Sequence, residues 1–445
     1  MSGTALAIHH DEPAAAVALA CVVGTLWGMA VMAGGLDSLM GQVVAFLLLL
    51  PACVAALLLA RRHDELGRRL IMLLSPFLGA LVWSSLMSWP LLSPDAIAPD
   101  LRLPALLGQM AILMALFAGA WLSDRRAGYA MEAMIVLTGY GVLVVALVAR
   151  MLGPDAIDGV GDAMRHGRFA GMVDNANMAC ALFGSCALIA LGRAIQAGRP
   201  AMTVNGLPGL GFWIAFFGLT GGCLLTAARV GNLLLLLGIV VQIAHHYATG
   251  AKRTRHAAAL ITVPAVLLLA AICAPLLWMR AAVAPAGLLD RQWLWAHYWD
   301  AAMASPVSGY GLGSFSHVNA RYLSDAETIQ KLWMVNSPHD FAIGLLLQGG
   351  IPALALAIAG MGMMVVPMIR AAMRGLWAAR EVALATALAL LMAEGLTDIA
   401  FDFPITALTI ALLAGMLWAR SRPGPVGILR SNDVPTRQER RIASA

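Results

Sequence analysis

Of 445 residues, 60% are hydrophobic and only 12% are charged, with a mean hydropathy of +0.80. Water-soluble domains carry about 25% charged residues, so a soluble globular protein is excluded and a membrane protein is expected from end to end. The formal net charge is +5, but the placement of the basic residues points to membrane topology and not to nucleic-acid binding.

The first residues, MSGTALAIHHDEP, have no basic n-region, and the apolar run after them continues as a full span. No cleavable signal peptide is expected. Runs of about 17–24 residues, long enough to cross a bilayer, lie at 14–35, 39–60, 70–92, 103–122, 129–152, 175–195, 207–225, 230–247, 257–279, 352–370, 380–399 and 404–420. The expected fold is an all-α integral membrane protein with about 12 transmembrane helices and one long outer loop containing short interfacial helices. Nine helices fall in 1–279, the loop in 280–351 and three helices in 352–420, and 421–445 reads as a disordered tail.

The loops alternate in charge. Arg61, Arg62, Arg68 and Arg69, then Arg125 and Arg126, Arg193 and Arg199, Lys252, Arg253 and Arg255, Arg370, Arg374 and Arg380, and the arginines from Arg420 onward share one side. The positive-inside rule makes that side cytoplasmic and puts both termini inside. The other basic residues are Arg102, Arg150, Arg165, Arg168, Arg229, Arg280, Arg291, Arg321 and Lys331. They lie outside, where topology does not ask for them. All six cysteines fall within apolar segments, as small buried hydrophobes would.

Near the end of the long loop stands Ser337-Pro338-His339-Asp340, followed by an apolar run that Gly349-Gly350 breaks. Ser337 is expected as the N-cap of a helix, Pro338 as its first residue and Asp340 three residues after the cap. His339 then falls in the first turn, where the positive end of the helix dipole favours a neutral ring able to accept a proton. Residues 339–348 make about 15 Å of helix at 1.5 Å each, too short to span, so they are expected to lie at the outer interface. Arg229, between two apolar runs, and Arg291, opening the stretch RQWLWAHYW, are pinned near the hydrocarbon. Such arginines are costly unless they meet an anion, and guanidinium is shaped to grip phosphate oxygens.

Four pieces in this order resemble the O-antigen ligase and polymerase superfamily of bacterial envelope glycosyltransferases. They are RFAGMVDNANMACALF (168–183), LTAARVGN (225–232), RQWLWAHYWDAAMASPVSGYGLGSF (291–315) and HDFAIGLLLQGGIP (339–352). The third carries the Pro-x-x-Gly-x-Gly-x-Gly-x-Phe run as Pro306, Gly309, Gly311, Gly313 and Phe315. The usual Asn-Pro-Asn reads Asn175-Ala176-Asn177, and the usual Asn after the histidine is Asp340.

The resemblance implies a GT-C-like architecture in the bacterial inner membrane with its site facing the periplasm. It implies transfer of a polysaccharide from undecaprenyl diphosphate to a hydroxyl of lipid A–core oligosaccharide. His339 would be the general base; Arg229 and Arg291, with Arg168 as a third contact and Asn177 beside them, would hold the donor. No cofactor, nucleotide or metal is expected, and the expected partners are the two lipid-linked substrates and membrane lipids.

Asp398 and Asp402, with Glu394 one turn before Asp398, admit a rival reading as ligands of a hard cation. A simpler role for Asp398 is to orient the histidine or pair with an arginine. The alternatives in function are O-antigen polymerase, a protein O-oligosaccharyltransferase of the same superfamily, and a transporter of lipid-linked sugars. A transporter would carry charges along its spans, whereas here the polar groups gather on one face.

Overall fold

The computed structural model describes residues 12–33, 39–60, 64–123, 125–153, 164–165, 168–173, 175–197, 207–249, 262–264, 266–271, 274–275, 284–333, 335–397 and 401–421. The expected disordered tail lies outside these residues apart from Ser421, as does Asp398. Nearly all of the described chain is helical. The first half comprises α1 (Glu12–Met32), α2 (Leu39–Ala60), α3 (Asp64–Met87), α4 (Arg102–Trp121), α5 (Arg125–Leu152), α6 (Ala176–Ala197), α7 (Leu207–Leu225) and α8 (Arg229–Thr249). A small antiparallel hairpin, β1 (Met164–Arg165) with β2 (Arg168–Phe169), precedes α6. After a helical stretch within 262–275 come α9 (Ala284–Ala304), α10 (Phe315–Arg321), α11 (Ala326–Leu332), α12 (Phe341–Met373), α13 (Ala379–Thr397) and α14 (Pro404–Arg420).

Seven of these helices, α1, α3, α4, α5, α6, α8 and α12, are long and apolar enough to cross a membrane. Their apolar residues run all round the helix instead of along one stripe, as a lipid environment allows and water does not. The chain is an all-α membrane protein. Helix α6 is its axis, buried from Ala176 to Ile195 with few interruptions and packed among α5, α7, α8 and α13. Helices α4 and α14 approach to backbone contact, Gly119 lying on Leu412 and Gly415 on Leu116, the small-residue packing that membrane helices use in place of a hydrophobic drive.

At one end of the bundle lies a buried ion network. Glu132 of α5 pairs with both Arg193 of α6 and Arg380 of α13, and Arg420 of α14 pairs with Glu381 of α13 at 2.8 Å. Arg193 also stacks over the Tyr129 ring at 4.3 Å. Three residues that sequence reads as topology markers therefore join helices instead of meeting water.

At the other end, α12 is two helices in one. Gly349 (φ −151°, ψ 15°) and Gly350 (φ 66°, ψ −167°) leave helical geometry, so a short helix over 341–348 meets a longer one over 351–373, as the sequence leads one to expect. The break is filled by the loop before α10. Tyr310 N–H donates to Leu347 O and Ile351 N–H to Pro306 O, both at 2.7 Å. From α3, the Trp83 indole N–H donates to Gly349 O at 2.9 Å, and the Ser88 hydroxyl accepts from Leu312 N–H at 2.7 Å. Gly309, Gly311 and Gly313 have φ of 60°, 96° and 71°, the left-handed region that L side chains avoid. The spaced glycines are the geometry that lets this loop thread the break.

The long loop is not a strand of chain lying on a surface. Helices α9–α11 enclose a core of their own, with Tyr298, Ala301, Ala302, Tyr310, Val318 and Leu332 packed on Ile343, Leu346 and Leu347 of α12. The Tyr298 hydroxyl donates to Asn319 Oδ1 at 2.8 Å, and the Asn319 amide donates to Leu332 O at 2.9 Å and Val335 O at 3.1 Å. These bonds tie the segment before Ser337 back to α10.

A methyl at position 350 would strike the carbonyls of Val307 and Pro306 and take a left-handed backbone. Gly350→Ala should destabilise the protein by about 1–3 kcal/mol from backbone strain alone, read as a lower melting temperature of the purified chain. Gly362→Ala, on the same helix with nothing within 4 Å of the new methyl, should be neutral or slightly stabilising. Equal melting of the two variants would show that the break carries no structural weight.

Candidate functional site

The structure corrects the expected start of the helix after His339. The N-cap is Asp340 (φ −155°, ψ 126°), whose carboxylate accepts Ile343 N–H at 2.9 Å. An anionic cap meets the free amides and the positive helix end together, and Ser337 is left for another partner. The buried Ser337 hydroxyl donates to Asp402 Oδ2 and accepts His339 N–H at 3.2 Å. His339 therefore sits before the helix, not in its first turn. Its φ of 55° is a left-handed conformation that costs a non-glycine residue about 1–3 kcal/mol and persists only where its surroundings over-determine it. Here they do, because Ser337 grips its N–H and the Trp295 indole N–H donates to its carbonyl at 3.2 Å.

Asp402 lies in the turn over 401–403, between α13 and α14. By surface area it is exposed, but that surface faces a cleft lined by protein and not open bulk water. The cleft has about 1150 Å³ of empty volume, its open mouth included. Phe341, Gly344, Gln348 and Asp402 form the site end, and Phe77, Leu116, Met361, Met364, Ile410 and Ala414 carry the apolar walls inward. From Ala407 to Ala414 the wall descends about 10 Å along α14 at 1.5 Å per residue. Desolvation pushes the Asp402 carboxyl up to about 6, and the nearby Asp340 charge adds to it. The Ser337 hydrogen bond and the charge of His339 pull the other way without cancelling the rise.

A second group forms where α6, α7 and the hairpin meet. Asn175 caps α6, its Oδ1 accepting Asn177 N–H at 2.7 Å and Met178 N–H at 3.3 Å. That fixes Asn177, whose Oδ1 accepts from the Arg168 guanidinium at 2.8 Å, while Arg168 Nε–H donates to Thr226 O at 3.1 Å. Arg168 is thus half-buried and held at two points. The α7–α8 turn is tight, with Ala227 at φ 52° and the Thr226 hydroxyl bonded to Cys223 O at 2.7 Å and Ala228 N–H at 3.2 Å. It delivers Arg229, exposed, as the first residue of α8.

The two groups are neighbours through α14. Thr406, four residues after Asp402, lies 3.9 Å from the Met178 sulfur, next in sequence to Asn177. Arg291, half-buried on α9, stands one turn before Trp295 and so on the flank of His339. Arg168 and Asn177 are in direct contact, and Arg291 stands one turn before Trp295, which bonds the His339 carbonyl. Arg229 shares its turn with Thr226.

The acidic partner of the histidine segment is Asp402. Asp398, chosen for that role from sequence, lies outside the described residues. Glu394 is buried beside Gly231 and Cys180, next to the turn that carries Arg229. Cys53, Cys180, Cys186 and Cys223 are buried, free thiols, with the Cys180 and Cys223 sulfurs 3.1 Å apart.

Sequence reading missed Thr226, Trp295 and the Ser337–Asp402 bond. A trace of the last was available, since Asp402 directly precedes Phe403-Pro404, a helix start that leaves it in a turn. No protein-family model and no curated protein matches the chain.

An ordinary aspartate, with a value near 3.8, is ionised throughout mildly acid solution; Asp402, raised to about 6, stays protonated below that pH. Infrared difference spectra of the purified chain should therefore show a carboxyl losing its proton near pH 6, absent in Asp402→Asn. If the same band persists in the variant, it belongs to another acid.

Proposed function

We propose that this chain is a membrane glycosyltransferase of the O-antigen ligase type. The observation that carries the reading is the His339–Ser337–Asp402 group, whose Asp402 lines one end of an apolar cleft among membrane helices. A lipid-borne substrate can lay its hydrocarbon chain in such a cleft while its polar head stays beside the histidine. The other five expected spans cross the membrane as well, giving twelve. Both termini are cytoplasmic and His339 faces the periplasm.

No nucleotide is at hand on that side, so the energy arrives in the donor as a sugar diphosphate. The acceptor hydroxyl attacks the anomeric carbon, forming the new C–O bond as the bond to the diphosphate oxygen breaks. The His339 ring takes the hydroxyl proton, and undecaprenyl diphosphate leaves with the bonding electrons. A single displacement inverts the anomeric configuration. Arg229 and Arg291 hold the diphosphate and stabilise its developing charge. Arg168, fixed by Asn177 and Thr226, is a third contact. Asp402 acts through Ser337 to hold the backbone at His339, a positioning role.

The test is donor binding and transfer by one purified protein, given lipid-linked polysaccharide and lipid A–core in excess chelator. His339→Gln keeps a hydrogen bond but accepts no proton, so it should bind donor normally and lose about 10²–10⁴-fold in transfer. Near wild-type turnover would remove the histidine from the chemistry. Arg229→Lys and Arg291→Lys should weaken donor binding as well as transfer, because a point charge cannot make the two-pronged grip on a phosphate. A deletion strain separates the ligase from the polymerase: loss of the polysaccharide ladder with lipid-linked polymer retained means ligase, and core bearing one repeat unit means polymerase.

A further inference from the structure

Helix α12 runs from its break at Gly350 to Arg370 and Arg374, about 30–36 Å at 1.5 Å per residue, or one hydrocarbon thickness. Its far end therefore lies at the membrane surface opposite His339. Helix α3 runs antiparallel beside it, since Trp83 near the α3 C-terminus holds Gly349 while Arg69 near its N-terminus meets the α12 C-terminus. Between them is a pocket of about 820 Å³ of empty volume, its opening included, lined by Arg69, Arg370, Arg374, Pro367, Leu376 and Ser421.

Topology accounts for basic residues on this face, but not for three arginines of two helices lining one concavity. Other arginines here are neutralised, Arg193 and Arg380 by Glu132 and Arg420 by Glu381. Among the residues whose side chains are described, no carboxylate pairs with Arg370 or Arg374. Arg69 has a contact of its own, so the weight falls on the other two, four residues apart on one helix face.

The α12 C-terminus brings about half a negative charge, which the arginines outweigh. Its end is closed by Gly375 (φ 67°), with Leu376 N–H donating to Ala371 O at 3.0 Å, so its last carbonyls are in part already engaged. Beside the pocket, Ile369 and Met373 are 52% and 82% exposed. These are surfaces for acyl chains under a charged head.

We propose that this pocket binds a phosphate-bearing anion, the headgroup of an anionic phospholipid in the leaflet opposite His339. One phosphate shared by Arg370 and Arg374 relieves their repulsion at the end of α12 that faces α3. The site is independent of any transfer reaction.

The experiment is native mass spectrometry and thermal unfolding of the full chain in neutral detergent, with added phosphatidylglycerol, phosphatidylcholine or inorganic phosphate. Phosphatidylglycerol should bind and raise the melting temperature, and phosphatidylcholine should do neither. Arg370→Gln with Arg374→Gln should weaken that binding about tenfold or more, as loss of charge-assisted bonds does. Arg68→Gln, an exposed arginine outside the pocket, should not. Equal effects of the two lipids in the wild type, a comparison that needs no variant, would overturn the proposal, as would undiminished binding in the double variant. Inorganic phosphate reproducing the whole shift would overturn the lipid as its source.

Discussion

The break in α12 is the constraint on which the rest of the site depends. Two glycines interrupt the helix and free backbone groups that a bilayer cannot satisfy. The loop over 306–312 supplies the missing partners, bonding Leu347 and Ile351, while Trp83 caps the Gly349 carbonyl. Because the short helix over 341–348 is thereby tilted away from the span, its N-terminus with His339 and Asp340 is held against α9 and the α13–α14 turn. Without the break, helix would continue unbroken through 350, and the histidine would be carried off that surface.

Polar groups are treated differently at the two ends of the bundle. At the far end Glu132 is enclosed by two guanidiniums, which leaves little to water or ligand. A buried pair of this kind contributes to uniqueness of packing more than to stability, since desolvation offsets most of the attraction. At the site end Asp402 has one hydroxyl partner and a surface open to a cleft. A carboxyl so placed can change its protonation as pH or ligand changes, whereas the enclosed one is committed to structure.

His339 combines a left-handed backbone with restraints on its N–H and carbonyl. Strain held in this way aims a side chain more narrowly than a relaxed helical position would. The restraints come from Ser337, two residues away, and from Trp295 on another helix, so the aim is set jointly by the loop and by the membrane bundle.

Membrane class, the existence of most helices and the glycine break were legible in the sequence, which also nominates His339, Arg168, Arg229 and Arg291 as candidates. Each rests on local information: apolar run length, helix breakers, and charges where topology does not require them. Even the spaced glycines at 309, 311 and 313 announce a special backbone, since only glycine enters that region freely. What only the tertiary structure decided is pairing across long separations. Sequence put the helix cap at Ser337, because serine before proline is a good local start, but Asp402, 65 residues away, takes that hydroxyl and leaves the cap to Asp340. The same holds for Arg168 with Thr226, Trp295 with His339 and Glu132 with Arg193 and Arg380. In each case several local partners would satisfy the group equally well, and only the packing of distant helices selects one.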